Sequence, residues 1–185
     1  MAASDRNPTP DRPATGQLAC LSAPALHERL AEEVNRAGRH GTPLSCLLVT
    51  IGNLEELARE HGNELSEQTF AYVASVLGSQ VRGFDRVGRP SEGELVLVLP
   101  GADGPRGEIV ARRVLERLRT IKVESDGTRR PLRVSVGLAA WQDKIGGDEL
   151  LERARVAARR GNGADGASML ASSSPPVLGR PHGPA

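Results

Sequence analysis

The sequence predicts a domain of the α/β (α+β) class, because helical and strand patterns alternate along most of its length. Residues 44–51 form a continuous apolar run that is short enough for a buried central strand. Residues 85–99 hold two strand patterns around a turn that contains Pro90 and Gly93, which favours a β-hairpin. The predicted order is helix, strand, two helices, hairpin, helix, strand and helix.

The first predicted helix covers residues 25–37 and precedes the strand at 44–51. Apolar side chains recur on one face of this helix, and Gly38 and Gly41 are expected to end it. After the strand, Gly52 and Asn53 turn the chain into a short helix. The apolar face of the first helix is formed by Leu26, Leu30, Val34 and Ala37.

The next helix is expected to begin near Ser66, whose hydroxyl can cap it, and to run toward Val81. Pro105 is well suited to a first helical turn and predicts a helix over residues 106–119. The remaining patterns predict strands at residues 121–124 and 132–139 and a final helix at 149–160.

Composition predicts one folded domain between two disordered ends. Residues 1–21 are rich in Pro, Ala, Thr, Asp and Arg, and residues 169–185 are rich in Ser, Pro and Gly. Such segments bury too little apolar surface to offset the entropy of ordering. The folded domain is therefore expected to cover residues 22–168.

Charge and cysteine content argue against several partners and compartments. With 24 basic and 23 acidic side chains the net charge is +1, so no overall field favours nucleic acid or an acidic membrane. Cys20 and Cys46 lack metal-ligand spacing, and we expect reduced thiols and no metal or other cofactor. Because the sequence has no apolar stretch of about 20 residues, we expect a cytoplasmic protein without a membrane partner.

Two neighbouring motifs carry a family resemblance. Arg82, Gly83, Phe84 and Asp85 form an Arg-x-x-Asp motif, and Ser91-Glu92-Gly93-Glu94-Leu95 follows five residues later, directly before an apolar strand. This arrangement resembles GGDEF-domain diguanylate cyclases, in which an Arg-x-x-Asp site that binds cyclic di-GMP stands five residues before the catalytic hairpin. The first motif is intact and the second is broken.

The resemblance covers about residues 22–166 and implies a fold. Three further matches support it, at residues 39–44, 61–63 and 134–139. The implied fold is like the palm of nucleotide cyclases, a mostly antiparallel sheet of about five strands flanked by helices. Residues 154–163 lack part of the segment that the family carries in its last helix, so the resemblance implies no triphosphate contact there.

The implied metal and base positions have mostly lost the groups that their chemistry requires. Phosphoryl transfer needs carboxylates that hold divalent metal. In the resemblance, the metal-binding aspartate at the end of the first strand falls on Thr50, and the aspartate two residues later falls on Gly52. The asparagine that binds guanine falls on Ala58. A loop lysine falls on Glu55, which reverses the charge. The second carboxylate partner of guanine falls on Glu67.

The hairpin departs from the family in the same direction. Ser91 and Glu92 replace its two glycines, Gly93 replaces the metal-binding acid, and Leu95 stands at the last position. Glu94 alone keeps its residue type. The Glu92 carboxylate is expected to repel a triphosphate. Because of these departures from the family pattern, we expect a domain that is not an enzyme.

The Arg-x-x-Asp motif has two interpretations. It can be a simple ion pair at a helix end, which contributes only about 0.2–0.5 kcal/mol. In the resemblance, Arg82 and Asp85 bind cyclic di-GMP together with Arg113, which falls on a second ligand-binding arginine. An arginine fork can bond to guanine O6 and N7, and a carboxylate can accept from N1 and N2. We also expect Arg86 and Arg89 to add positive potential.

The favoured hypothesis is a non-catalytic receptor for cyclic di-GMP that acts as a homodimer or through a partner protein. One alternative is a nucleotide-independent interaction module of a bacterial signalling pathway. Another is an enzyme with residual GTP binding or turnover through Glu67 and Glu94.

Overall fold

The computed structural model of the protein describes residues 20–83, 85–161 and 167–172. The predicted disordered ends fall mostly outside these ranges, at residues 1–19 and 173–185. The helices are α1 (Ala23–His40), α2 (Leu54–His61), α3 (Asn63–Gln80), α4 (Gly104–Arg119) and α5 (Gly147–Arg160). The strands are β1 (Leu44–Ile51), β2 (Arg86–Gly88), β3 (Glu94–Pro100), β4 (Lys122–Ser125), β5 (Thr128–Pro131), β6 (Val134–Ala140) and β7 (Ala167–Ser172).

The central sheet has the strand order β2-β3-β1-β6-β7 within the described residues. All neighbouring pairs are antiparallel except β6 and β7, which run parallel. The predicted fold class, a mostly antiparallel sheet of about five strands flanked by helices, is therefore confirmed. The hairpin of β2 and β3 is also confirmed, with Val87 opposite Leu97.

Strand β1 lies at the centre of the sheet because both of its faces are covered. Leu47 and Val49 point into a core formed with α2, α3 and α4, whereas Cys46 and Leu48 point into a second core formed with α1 and α5. This two-sided burial explains the continuous apolar run, since neither face meets water. Truncating Leu47 to alanine in such a core costs about 2–5 kcal/mol.

The structure corrects the predicted start of α3. The helix begins at Asn63, so Ser66 lies inside it and does not cap it. The Ser66 hydroxyl instead donates to the carbonyl of Leu54 at 3.3 Å. Gly62, at a φ of 90°, makes the sharp turn between α2 and α3 that a side chain would disfavour.

Two strands were not predicted. Strand β5 pairs only with β4, in a separate two-stranded sheet, and its side chains are exposed, so it carries no apolar pattern. Strand β7 pairs in parallel with β6 and extends to Ser172. The expected domain boundary at residue 168 therefore lies inside a strand.

The same described ranges contain no helix with the length and apolar character that a membrane crossing requires.

Candidate functional site

Two depressions in the surface contain the residues that the sequence singled out. The first, which we call the strand-end cleft, has a volume of about 510 Å³ and lies where β1 passes into α2. The second, the arginine cleft, has a volume of about 370 Å³ and lies between the end of α3 and the outer face of α4. The lining of the strand-end cleft includes Thr50, Gly52, Glu55, Ala58, Glu67, Phe70, Arg89, Glu92 and Gly93.

Antiparallel pairing places the hairpin against the end of β1. Thr50 lies opposite Glu94, and the amide of Ile51 donates to the carbonyl of Gly93 at 3.0 Å. Gly93 has a φ of 72°, a conformation that favours glycine. These contacts bring Thr50 and Gly93 together, as the sequence predicted.

The strand-end cleft does not fit a divalent metal ion held by carboxylates at the expected positions. Thr50 offers a hydroxyl, whereas Gly52 and Gly93 offer no side-chain ligand. Glu55 and Glu92 line the cleft and are exposed. In the described part of the chain, no three His, Cys, Asp or Glu side chains are grouped so that they could hold a metal ion.

The carboxylate of Glu67 forms an ion pair with a neighbouring arginine, Arg89. Both terminal nitrogens of the Arg89 guanidinium donate to Glu67, each to a different carboxylate oxygen at 3.3 Å. The same guanidinium lies 4.1 Å from the centre of the Phe70 ring, which makes a cation–π contact. Arg89 therefore belongs to the strand-end cleft and does not add charge to the arginine cleft, which corrects the sequence expectation.

Glu94 does not line the strand-end cleft. Its carboxylate accepts hydrogen bonds from Arg155 of α5, at 2.9 and 2.8 Å, and from the Ser91 hydroxyl at 2.6 Å. Burial alone raises the pKa of Glu94, but the bonds from Arg155 and Ser91 outweigh it and hold the pKa below its ordinary value. Glu67 and Glu94 thus have separate ion-pair partners, and the structure does not bring them together in one site. Leu95 is buried in the core.

The turn that carries the Arg-x-x-Asp motif is closed by Asp85. One oxygen of its carboxylate, Oδ2, accepts from the backbone amide of Arg82 at 2.7 Å, and the Asp85 amide donates to the Arg82 carbonyl at 3.0 Å. Arg86 fastens the same turn by donating to the carbonyls of Gly83 and Asp85, both at 2.8 Å. Arg86 is therefore a structural residue of the turn, which corrects its expected role as free positive charge.

The Arg82 side chain is exposed, whereas Asp85 is only half-exposed. Within the described ranges, the Arg82 guanidinium forms no hydrogen bond or ion pair, so the motif is not a helix-end ion pair. No hydrogen bond among the described residues uses the Oδ1 oxygen of Asp85, which can accept a further bond. Both residues line the arginine cleft, as the sequence predicted for a shared site.

Helix α4 contributes Arg113 to the lining of the same cleft as Arg82 and Asp85. Arg113 is exposed, and its guanidinium donates to the carbonyl of Gln80, the last residue of α3, at 2.8 Å. Arg106 also lines the cleft and was missed by the sequence analysis. The signal was present, because Arg106 precedes Arg113 by seven residues, which is two helical turns and hence the same face.

The mostly antiparallel sheet, with the β2–β3 hairpin at one edge, and its flanking helices form a fold of the nucleotide-cyclase palm type. The chain belongs to the GGDEF family, because the family model described as "Diguanylate cyclase, GGDEF domain" matches residues 23–164.

Named relatives share this domain over a minor part of their length. Diguanylate cyclase DgcP of Pseudomonas aeruginosa is 28% identical over 140 residues, which cover 74% of this chain and 20% of that protein. Diguanylate cyclase DosC of Escherichia coli K12 is 27% identical over 134 residues, which cover 70% of this chain and 29% of that protein. The chain therefore spans less than a third of either relative.

Solved structures establish the same fold. The GGDEF domain of DgcB from Caulobacter crescentus, in complex with c-di-GMP, aligns with a TM-score of 0.74 and 19% identity over 86% of this chain and 97% of that one. Diguanylate cyclase SiaD of Pseudomonas aeruginosa, in complex with its activator SiaC, has a TM-score of 0.72 and 24% identity over 80% of this chain and 58% of that one. At these identities the likeness concerns the fold alone.

Proposed function

We propose that this domain is a non-catalytic receptor for cyclic di-GMP, which binds in the arginine cleft and acts through a second copy of the chain or a partner protein. The observation that carries this proposal is the meeting of Arg82, Asp85 and Arg113 in one depression of about 370 Å³. Arg82 and Asp85 come from the turn between α3 and β2, whereas Arg113 comes from α4, about 30 residues further along the chain.

The chemistry of the cleft suits a guanine nucleotide that carries phosphate. The free guanidinium of Arg82 can donate two parallel hydrogen bonds to guanine O6 and N7. The Oδ1 oxygen of Asp85 can accept from the N1 or N2 hydrogens, while Oδ2 keeps the turn closed. The arginines of α4 that line the cleft can supply donors to a phosphate.

The same proposal excludes catalysis because the strand-end cleft lacks the groups that phosphoryl transfer requires. The expected metal positions carry no carboxylate, and the carboxylates that remain nearby are either paired with arginine or placed to repel a triphosphate. The complexes of the related domains with c-di-GMP and with an activator protein support a ligand and a partner of these kinds.

Calorimetric titration of the full chain tests the proposal. Cyclic di-GMP should bind with a dissociation constant of about 1 μM, equivalent to about 8 kcal/mol. In a parallel titration, GTP with magnesium should give neither binding of comparable strength nor cyclic di-GMP as product. Protein-dependent formation of product would show that the chain is an enzyme.

A second candidate is a nucleotide-independent interaction module. Ile109 of α4 is 66% exposed and lines the arginine cleft beside Val110, so a partner protein that covered this cleft would bury apolar surface. This candidate becomes the better one if cyclic di-GMP fails to bind at a hundred times the expected concentration and the protein still forms dimers.

A further inference from the structure

Two arginines of α4, Arg106 and Arg113, line the arginine cleft, and they differ in how strongly they are hydrogen-bonded within the fold. Arg106, Ile109, Val110 and Arg113 occur at the spacing of one helical face, and all of them line the cleft. The two arginines lie about 10 Å apart along the helix axis, given the rise per residue of an α-helix. Ile109 and Val110 form an apolar surface between them.

Arg113 is already engaged within the fold. Its bond of 2.8 Å to the carbonyl of Gln80 satisfies one of the last carbonyls of α3, which otherwise lack a helical partner. It therefore links α4 to the helix end that leads directly into the turn of Arg82. A ligand that bound all the donors of the Arg113 guanidinium would have to break its hydrogen bond to the Gln80 carbonyl.

Arg106 is much less engaged. Its guanidinium makes one bond, from Nη1 to the carbonyl of Gly101, at a distance of 3.3 Å that is longer than a strong hydrogen bond. The start of α4 competes little for a ligand, because the amide of Arg106 is capped by the Asp103 carboxylate at 3.0 Å and Pro105 has no amide hydrogen. Neither of these two backbone positions can donate to an anion, which leaves the Arg106 side chain as the charged donor at this end of the cleft.

Charge agrees with an anionic ligand. Arg82, Arg106 and Arg113 are opposed by Asp85, the one carboxylate among the described residues of the lining, which leaves a formal charge of +2. Cyclic di-GMP has two phosphodiester groups and hence a charge of −2. With Arg106 the formal charge of the lining matches that of the ligand, whereas the three residues predicted from the sequence give only +1.

We propose that Arg106 is a direct phosphate-binding residue of the arginine cleft and that Arg113 mainly positions the turn of Arg82 through Gln80. This inference rests on the proposed function, because it assigns phosphate binding within the same site. Arg106 then donates two hydrogen bonds to a phosphate of the ligand, and Arg82 donates to the guanine base. Ile109 packs against the ligand between them.

Titration of Arg106→Ala, Arg106→Lys and a matched control with cyclic di-GMP tests the inference. Loss of a charge-assisted contact should weaken binding by about tenfold to a hundredfold in Arg106→Ala, with a smaller loss in the lysine variant, which keeps the charge but not the fork. The salt dependence of binding should also become shallower in Arg106→Ala. The control is Arg112→Ala, an exposed arginine of α4 outside the cleft, which should bind like wild type.

The role of Arg113 is tested by its two variants. Arg113→Ala should lower both ligand affinity and thermal stability, because the bond to Gln80 is lost, whereas Arg106→Ala should melt like wild type. Arg113→Lys should restore both affinity and stability in part, since an ammonium group can also donate to the carbonyl.

The outcomes separate this inference from the proposed function. If wild type binds and Arg106→Ala binds equally well, or if Arg112→Ala is weakened to the same extent, the inference is wrong and the receptor proposal stands. If wild type does not bind, both are wrong.

Discussion

Single side chains decide how the two clefts differ. In the strand-end cleft, Glu67 has Arg89 as its partner, and beside that cleft Glu94 has Arg155. In the arginine cleft, the Arg82 guanidinium is free among the described residues, and Asp85 uses one of its two oxygens. Free charged groups are available to a ligand, whereas paired groups must first lose a partner.

Arg82→Ala should weaken the binding of cyclic di-GMP by about 1.5–3 kcal/mol, roughly tenfold to a hundredfold, because charge-assisted bonds are lost. The variant should fold normally, since the exposed guanidinium has no partner in the described part of the fold. Calorimetry measures the affinity, and Arg59→Ala, an exposed arginine of the strand-end cleft, serves as the control. Equal affinity of Arg82→Ala and wild type would contradict the assignment.

The Glu94–Arg155 pair should make stability depend on pH. Because the folded protein holds the pKa of Glu94 below its ordinary value, the pair contributes stability above about pH 4.3, the usual unfolded value, and loses it as the pH falls through the folded pKa. Glu94→Gln should reduce the free energy of unfolding at pH 7 by about 1.5–3 kcal/mol and flatten the acid limb of its pH profile.

Denaturant unfolding between pH 7 and pH 3 measures this effect. The control is Glu152→Gln, which removes a carboxylate that also contacts Arg155 but is 50% exposed, so its loss should cost less than about 1 kcal/mol. An acid limb that is as steep in Glu94→Gln as in wild type would show that the pair does not cause it.

The elements bring these side chains together through close packing. Helix α5, which carries Arg155, lies directly against β6 at Gly137, where an added β-carbon would come within 2.1 Å of the Ala154 carbonyl oxygen and 2.3 Å of the Ala158 nitrogen. Both neighbours are backbone atoms and cannot rotate away. The position of α5, and hence of Arg155 near Glu94, therefore requires glycine at residue 137.

Gly137→Ala should destabilise the domain by about 1–3 kcal/mol or more, because α5 must move away from the sheet. Gly104→Ala is the matched control, since an added β-carbon there would meet only the Ala140 side chain, at an ordinary 3.9 Å. That variant should change stability by about 0.5 kcal/mol or less. Thermal or denaturant melting that fails to separate the two variants would refute the packing argument.

At the level of the whole molecule, the sheet and its hairpin form although Thr50 and Gly93, at the metal positions expected from the sequence, carry no carboxylate. Burial of the apolar core residues stabilises the fold. This stabilisation does not depend on which polar groups stand at the strand ends. A domain can therefore lose its chemistry and keep its architecture, which makes simple restoration of two carboxylates an informative experiment.

The double variant Thr50→Asp with Gly93→Asp should still form no cyclic di-GMP from GTP and magnesium. Glu55, Ala58 and Glu92 remain unfavourable for the substrate. An aspartate at residue 93 must also adopt a φ of 72°, which costs of order 1–3 kcal/mol for such a side chain. Chromatographic detection of product provides the measurement, and robust turnover would show that these features matter less than the two carboxylates.

Much of this organisation could be predicted from the sequence. Apolar periodicity located β1, the hairpin and the helices, since burial imposes a pattern that the chain itself displays. The family resemblance implied Arg82, Asp85 and Arg113 as ligand-binding residues, and all three line one cleft. The strands β5 and β7 were not predicted; for β5 the reason is that backbone pairing leaves no apolar signature when the side chains are exposed.

Only the tertiary structure decided which charged groups are free. Sequence determined that Glu67, Glu94, Arg89 and Arg106 are present, but it could not show that the first three are paired and that Arg106 has a single weak contact. Their partners lie up to 61 residues away along the chain and become neighbours only when helices pack on the sheet. Secondary structure follows from local pattern, whereas the availability of a charge depends on contacts that folding alone creates.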